Sequence, residues 1–279
     1  MRAEFRADLH THTFCSDGSD PPLALLTRAH QVGLKGLSIT DHDTIDAYTK
    51  EIFLAAEELG IDLLPGVEIS SELDGASVHI LGYGCDIESP LLKEFLLRMQ
   101  ERRGERNRAI LKKLAQKNMP ISEEELKKFA TQRTIGRPHI AQLMVQKGYV
   151  ATTREAFDRY LGEGSSCYAP GIKYSPEEVI HQIHKVSGKA VLAHPHFFKK
   201  GSFLQRLLEL PLDGLECYYG ILPKAFETPW VKIAEQRGLI VTGGSDYHGH
   251  FKPQIPLGSS WVGEETFMLL KSKGARGSD

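Results

Sequence analysis

The sequence has few cysteines and no long apolar run. Its four cysteines, Cys15, Cys85, Cys167 and Cys217, are scattered and form no C-x-x-C pair, which argues against a disulfide framework and predicts reduced thiols. No stretch approaches the roughly 18 uncharged apolar residues of a membrane span. The residues before His10 mix acidic and basic side chains instead of forming an apolar signal core. We therefore expect a cytoplasmic protein that does not enter a membrane.

The chain also lacks a strong net charge, but this average hides two opposed regions. The 34 Lys and Arg residues face 36 Asp and Glu residues, and 41% hydrophobic content is typical of a globular protein. Residues 96–165 contain 15 basic and 8 acidic residues, a net charge of +7, whereas the remainder carries −9. Most of these basic residues are expected to solvate helix faces. Arginines in this region are also candidates for phosphate binding, because the guanidinium fork matches phosphate oxygens.

Short apolar segments that end in polar residues alternate with helical patterns. The expected strands are 7–9, 37–40, 63–67, 78–83, 190–193, 214–217 and 239–244. Helical patterns cover 22–32, 46–59 and 176–186, the last with a capping box formed by Ser175 and Glu178. This alternation predicts a parallel α/β architecture. In a barrel of this kind the polar residues at the carboxyl ends of the strands line the active face.

The strand rhythm stops between residues 96 and 165, where every strong signal is helical. A long helix is expected over 95–115, and Pro138 starts another helix that Gly148 ends. Two capping boxes, at 122–125 and 152–155, start two more helices. We therefore predict a body made of residues 1–95 and 166–279 and a helical insertion, 96–165, that caps it.

Histidines and carboxylates at the expected strand ends indicate a metal site. His10 and His12 point to the same side of an extended segment, because side chains alternate with period two. The same structural context recurs at Asp17, His42, Glu68, His79, His194, Asp246 and His248. Imidazoles and carboxylates without thiolates suit Mn, Fe or Zn. A bridging carboxylate such as Glu68 would allow two ions to lie close together, as in two-metal phosphoesterases.

The order of these motifs resembles the PHP (polymerase and histidinol phosphatase) family. The blocks are DLHTH (8–12), SDG (16–18), TDHD (40–43), GVE (66–68), HILGY (79–83), AHP (193–195) and GSDYH (244–248). The resemblance implies a distorted (β/α)7 barrel with two or three divalent ions, of which Mn is the expected metal. It implies three ligand sets: His10, His12, Glu68 and Asp246; Glu68, His79 and His194; and Asp17, His42 and His248. Some members of the family have histidine in place of Asp17, which could change metal preference.

The insertion and the RPHIA run at 137–141 are similar to one branch of this family. That branch contains 3',5'-nucleotide bisphosphate phosphatases and 5'-to-3' exoribonucleases, which implies a nucleotide or short oligonucleotide substrate. Its phosphate would be cleaved by a hydroxide that bridges two metal ions. No feature of the sequence indicates an obligatory protein partner.

A second anion site is expected in the insertion, some ångströms from the metals. Arg106 and Arg137, helped by Asn107 and His139, would clamp one phosphate while the metals cleave at the other. The run from Arg137 through Pro138 to His139 starts a helix, where free backbone N–H groups favour an anion. Lys173 is a further phosphate candidate. The substrate-binding set also includes the third-ion residues Asp17, His42 and His248.

Four residues near the expected metal ligands are assigned catalytic or supporting roles. Asp41 and Asp43 flank His42, so that one would orient an imidazole and the other, taken as Asp43, would protonate the leaving group. His196 would orient a ligand or phosphate, and Glu216 is expected to support the site rather than to bind metal.

Two alternatives to the nucleotide phosphoesterase stay open at this point. One is a small-metabolite phosphatase, such as a histidinol phosphatase, in which the insertion serves only as a lid. The other is a nucleic-acid binder in which the metals only stabilise the fold. The presence of all nine candidate ligands disfavours the binder, because a degenerate site would not require them.

Overall fold

The computed structural model describes residues 4–129, 134–171, 174–198, 201–220 and 222–272. Two sheets form its centre. The first is parallel, with the order β1 (Ala7–Thr11), β2 (Gly36–Ile39) and β3 (Asp62–Leu63). The second has the order β4 (Gly66–Leu73), β5 (Ala76–Tyr83), β6 (Lys189–Leu192), β7 (Gly214–Tyr219) and β8 (Ile240–Gly244). Isolated bridges, Thr11 with Tyr247 and His42 with Glu68, join the two sheets.

The second sheet is mixed, which corrects the expectation of an all-parallel arrangement. Strand β5 pairs antiparallel with both β4 and β6, whereas β6, β7 and β8 are parallel. A two-residue turn joins β4 to β5, with positive φ at Asp74 (52°) and Gly75 (81°). Asp-Gly is typical of tight hairpin turns, because both positions require a left-handed backbone. The described residues thus form a mixed α/β fold of two sheets, and the distorted (β/α)7 barrel stays a prediction.

The expected strand at 63–67 is in fact two strands, one in each sheet. Strand β3 ends at Leu63 and β4 begins at Gly66. Pro65 lies between them and has no N–H to donate to a ladder. The interruption lets the chain leave the parallel sheet and enter the antiparallel hairpin that carries Glu68 and His79.

Six helices of the described residues pack outside the sheets, and the helical patterns at 22–32, 46–59 and 176–186 correspond to three of them. The six helices are α1 (Pro22–Gln31), α2 (Lys50–Glu58), α7 (Pro176–Lys185), α8 (Ser202–Leu208), α9 (Lys224–Arg237) and α10 (Glu264–Lys271). The capping box of Ser175 and Glu178 at α7 is confirmed. Helix α2 begins later than the expected residue 46, because Thr49 caps it and accepts the N–H of Ile52.

A group of helices between β5 and β6 forms the cap. It contains α3 (Pro90–Ala115), α4 (Glu123–Phe129), α5 (Arg137–Gln146), α6 (Thr153–Ala156) and a π-helical turn, Phe157–Leu161. The Ser122–Glu125 capping box is confirmed. The C-terminal half of α3 packs into a cap core through Ile110 and Leu114, whereas its N-terminal half packs into the body core. The proposed domain boundary at 95/96 therefore falls inside a continuous helix.

Cys85, Cys167 and Cys217 are buried free thiols. None of the described helices combines the length and the apolar character that crossing a bilayer requires.

Candidate metal centre and anion pocket

The nine candidate metal ligands lie together at one end of the sheets. Strand β1 carries His10 and is followed at once by His12, while Asp246 and His248 follow β8. Glu68 lies in β4, His79 in β5 and His194 just after β6. Asp17 and His42 come from the loops after β1 and β2. The fold thus brings together side chains that are more than 200 residues apart in the sequence.

Glu68 is at the centre of the cluster. Its Oε2 lies 3.2–3.3 Å from imidazole nitrogens of His10, His12 and His42. Its Oε1 lies 2.8 Å from Nδ1 of His79 and 3.1 Å from Nε2 of His194. Each oxygen thus faces its own group of imidazoles, which is the arrangement of a carboxylate that bridges two cations. Burial opposes the charge of Glu68, but the surrounding imidazoles outweigh it and hold the pKa well below the usual range.

A second carboxylate, Asp17, lies between two imidazoles on the other side of His12. Its Oδ1 is 3.3 Å from Nε2 of His248, and its Oδ2 is 3.7 Å from Nε2 of His42. Nδ1 of His12 is 3.6 Å from Asp17 Oδ1. These distances are those of a group that could share a third cation.

The donor atoms of this cluster fit divalent metal ions. Four sets of side chains place one ligand atom each within 4.8 Å of one another: His10, His12 and Asp246; His12, His42 and Glu68; His12, Asp17 and His248; and Glu68, His79 and His194. Buried ring nitrogens of His10, His12, His42 and His79 have no hydrogen-bond partner. A buried polar atom without a partner is costly. Metal ions bound at these nitrogens would remove that cost. Which residue binds which ion stays a prediction.

Glu216 supports two of the candidate ligands from behind. Its Oε1 is 2.8 Å from Nδ1 of His10, and its Oε2 accepts the backbone N–H of His194 at 2.6 Å. Because Nδ1 of His10 is held by this carboxylate, Nε2 is directed at Glu68 and Asp246. This is the supporting contact expected for a metal-binding histidine.

Three residues at the strand ends adopt a left-handed backbone that is unusual for residues other than glycine. The φ angles are 31° for His194, 58° for Asp246 and 53° for Asp43. Such conformations cost about 1–3 kcal/mol each and occur often at functional sites. Backbone N–H groups hold all three in place: that of Asp246 donates to His10 O at 2.8 Å, that of Asp43 to Glu68 O at 2.9 Å, and that of His194 to the Glu216 carboxylate. The fold therefore offsets local strain, and it directs the side chains of His194 and Asp246 at the cluster.

The two residues expected to act directly in catalysis have contacts outside the cluster. Asp43 is fully buried; its carboxylate is paired with Arg103 and accepts the N–H of Ser70 at 2.8 Å. Nε2 of His196 bonds Cys217 O at 3.1 Å, and its ring packs against Trp230 of the outer helix α9. A direct catalytic role stays a prediction for both residues, and these contacts favour supporting roles.

Asp41 supports the loop that carries Asp17. One oxygen of its carboxylate accepts the N–H of Thr13 at 2.7 Å and the hydroxyl of Ser16 at 2.5 Å. The other accepts the Thr13 hydroxyl at 2.5 Å. These bonds fix the backbone between His12 and Asp17.

The cap and the β4–β5 hairpin form a small pocket rich in hydrogen-bond donors. It is lined by Ser71, Glu72, Ser77, Arg106, Arg137, Tyr168 and Gly171. Arg106 is buried, and its Nε and Nη2 atoms have no hydrogen-bond partner among the described residues. Burial and the neighbouring guanidiniums of Arg103 and Arg137 lower the pKa of Arg106 well below its usual range. A buried, unsatisfied guanidinium next to a second one makes this small pocket a candidate site for an anion.

One side chain that lines this pocket contacts a residue of the metal-ligand cluster. Ser77, which lines it, and His79 are alternate residues of β5 and so face the same side. Ser77 Oγ and His79 Nε2 are 3.4 Å apart. We call this pocket the anion pocket.

The other expected substrate residues are in the cap. Asn107 donates to Ile135 O at 2.8 Å and leaves its Oδ1 unpartnered. His139 Nδ1 accepts the N–H of Gly136 at 3.0 Å, so its buried Nε2 carries the proton in the neutral ring, without a partner. Pro138 lines the cavity above the cluster. Lys173 lies outside the described residues.

That cavity, of about 290 Å³, also contains residues that the sequence patterns did not indicate. The cap contributes Gln142, Thr153 and Phe157, and the segment after His248 contributes Phe251 and Lys252. Burial opposes the charge of Lys252, but the Asp246 carboxylate outweighs it and raises the pKa. The only available signal for Lys252 was its position four residues after His248, which by itself indicates nothing.

The chain is similar in sequence and in fold to several known proteins. The family model described as PHP domain matches residues 8–189. The chain is 36% identical to the 5'-3' exoribonuclease Rnm of Escherichia coli, over 90% of this chain and 87% of that protein. It is 31% identical to a 3',5'-nucleoside bisphosphate phosphatase of Chromobacterium violaceum, over 86% of each. A crystal structure described as a metal-dependent phosphoesterase from Bifidobacterium adolescentis superposes with a TM-score of 0.85, with 31% identity and 98% of each chain covered.

The fold and the cluster define a metal-dependent phosphoesterase, an enzyme that hydrolyses phosphoric esters. The chain belongs to the PHP family. The resemblance inferred from the order of the sequence motifs is thereby confirmed.

Proposed function

We propose that this enzyme removes a phosphate from 3',5'-nucleotide bisphosphates such as pAp and also cleaves at the 5' end of short RNA. The observation that carries this proposal is the anion pocket beside the metal-ligand cluster. The relatives named above act on the same classes of compound, as their names state. A cytoplasmic enzyme with no obligatory protein partner fits this role.

The metal sites we propose are the three ligand sets that the family resemblance implies, and one of them, Glu68 with His79 and His194, coincides with a geometric group. His10, His12, Glu68 and Asp246 would hold one ion, and Glu68 with His79 and His194 a second. Asp17, His42 and His248 would hold a third, with Mn the metal we expect and Fe or Zn as alternatives. Ions at these positions would polarise the phosphate and lower the pKa of water for in-line attack.

The anion pocket would bind the phosphate that is not cleaved. Residues two apart on a strand are separated by about 7 Å, so Ser77 in the pocket is one such step from His79 in the cluster. This spacing suits a ligand with two phosphates on one ribose. Arg106 offers two free, buried donors, and Arg137 adds a second guanidinium held by Tyr168 at 5.6 Å and by Leu161 O. A simple aryl phosphate would occupy only the cluster.

Further cap residues would surround the bound nucleotide. Pro138 and His139 begin α5, where backbone N–H groups and the free Nε2 of His139 would favour an anion. Asn107 is proposed to contact the substrate from α3, and Lys173 remains a further candidate for binding phosphate. Asp17, His42 and His248 would meet the scissile phosphate at the third ion. Asp43 and His196 would act by holding the active-site loops.

The test compares Arg106→Met with the wild type on pAp and on p-nitrophenyl phosphate in the presence of Mn. Loss of a charge-assisted hydrogen bond to phosphate costs about 1.5–3 kcal/mol, so we expect KM for pAp to rise roughly 10- to 100-fold. KM and kcat for the aryl phosphate should stay unchanged. Arg108→Met, which removes an exposed guanidinium from the same helix, is the matched control.

Equal effects of Arg106→Met on both substrates would contradict the proposed anion pocket. A substrate panel of pAp, a 5'-phosphorylated dinucleotide and histidinol phosphate separates the remaining possibilities. Hydrolysis of histidinol phosphate without hydrolysis of either nucleotide would show a small-metabolite phosphatase instead.

A further inference from the structure

Lys252 brings a positive charge into the cavity above the metal-ligand cluster. Among the described residues that line this cavity, it is the single lysine or arginine. The neighbouring lining residues include Asp17, Glu68 and Asp246. The arginines of the anion pocket, Arg106 and Arg137, do not line this cavity.

The chain after β8 returns Lys252 to the cluster by a short, fixed path. A 3-10 turn, Gly249–Phe251, reverses the chain after His248. The N–H of Lys252 donates to Gly249 O at 3.3 Å, and its carbonyl accepts the N–H of Ile255 at 3.0 Å. Its Nζ donates to Asp246 Oδ2 at 3.0 Å. Lys252 is therefore held on both sides of its backbone and at the end of its side chain.

Asp246 does not require Lys252 as a hydrogen-bond donor. The hydroxyl of Tyr219 already donates to Asp246 Oδ2 at 2.6 Å. Asp246 Oδ1 points away from both donors, toward His10 and His12 at 3.5 and 3.3 Å. An ammonium group has three N–H donors, and the hydrogen bond to Asp246 is the one that Lys252 Nζ makes to the described residues. Its side chain is 37% exposed, so the other two donors can face the cavity.

We propose that Lys252 is a catalytic residue that donates hydrogen bonds to the oxygens of the phosphoryl group being transferred. This inference rests on the proposed phosphoesterase function and adds a residue that acts on every substrate of that site. In the reaction, the oxygen of water bonds to phosphorus as the ester P–O bond breaks, and a proton from that water ends on the leaving oxygen. Lys252 forms no covalent bond. It stabilises the charge that the phosphoryl oxygens carry in the transition state.

The test uses Lys252→Met and Lys252→Arg in the Mn-loaded enzyme. Loss of one positioned donor to a transition-state oxygen lowers kcat about 10²–10³-fold, so Lys252→Met should lower kcat by about that factor for both pAp and p-nitrophenyl phosphate. This pattern differs from that of Arg106→Met, which should affect pAp alone. Inhibition by inorganic phosphate should also weaken, and Lys252→Arg should restore part of the activity. Lys232→Met, an exposed lysine on α9, is the matched control.

Bound Mn per chain is measured for each variant by elemental analysis, because a purely structural role would act through Asp246. Unchanged metal content with reduced kcat and weaker phosphate inhibition supports the proposal. Loss of Mn that accounts for the loss of activity would overturn it, as would a kcat within twofold of the wild type. If the wild type itself hydrolyses neither substrate, the proposed function fails first, which separates the two failures.

Discussion

Glu216 illustrates how one side chain connects two parts of the site. It bonds His10 from β1 and His194 from the end of β6, and it is fully buried on β7. A carboxylate that accepts a histidine N–H fixes the tautomer and raises the basicity of the metal-binding nitrogen. It also stabilises the left-handed backbone of His194.

We predict that Glu216→Gln weakens metal binding about 10- to 100-fold, as is typical for supporting carboxylates. The amide keeps the volume but can accept at only one of its two former contacts. Isothermal titration of the metal-free protein with Mn measures the change. Glu235→Gln, at an exposed position of α9, should leave the affinity unchanged, and an equal effect of both variants would rule out this role for Glu216.

Helix α3 connects the cap to the body at the scale of whole elements. Its first turns pack in the body core and its last turns in the cap core. Between them, Arg103 pairs with Asp43 beside the cluster and donates to Ser70 Oγ at 2.6 Å, while Gln100 donates to Asp43 O at 3.0 Å. The helix therefore fixes the position of the anion pocket relative to the loop that carries His42.

Arg103→Met should destabilise the fold by about 3–5 kcal/mol, because it leaves the buried Asp43 carboxylate without its partner. Chemical denaturation of the metal-free protein measures the free energy of unfolding. Combining this change with Asp43→Asn should cost less than the sum of the two single changes, since both remove the same interaction. Strict additivity would mean that the pair contributes nothing.

The whole molecule separates its charges, with a net +7 over residues 96–165 and −9 over the remainder. A basic cap above a site that holds cations would attract polyanions and concentrate them at the cavity. The body, which carries the opposite net charge, would bind them poorly. The near-neutral total of −2 therefore says little about the electrostatics of the site.

This separation predicts a salt dependence that grows with substrate charge. Screening acts over roughly 10 Å at 0.1 M salt, so kcat/KM for a short 5'-phosphorylated RNA should fall steeply between 50 and 200 mM salt. The value for p-nitrophenyl phosphate should change far less over the same range. Parallel decreases for both substrates would argue against attraction by the cap.

Local signals allowed much of the fold to be predicted from the sequence. Capping boxes at Ser122 and Ser175 located helix starts, because a cap involves residues only three apart. The hairpin at Asp74–Gly75 also had a local signal, but the regular strand and helix alternation suggested a parallel sheet instead. Strand direction depends on pairing with distant chain segments, and that could not be predicted from the alternation.

The sequence by itself determined the chemistry of the site, namely which imidazoles and carboxylates are present and that they lie on strands or in the segments that follow them. Only the tertiary structure decided what each side chain contacts. It paired Asp43 with Arg103, left Arg106 buried without a partner and returned Lys252 to Asp246. The physical reason is range, because side-chain alternation and helix caps arise from neighbouring residues. Partnership and burial arise from packing between elements that are far apart along the chain.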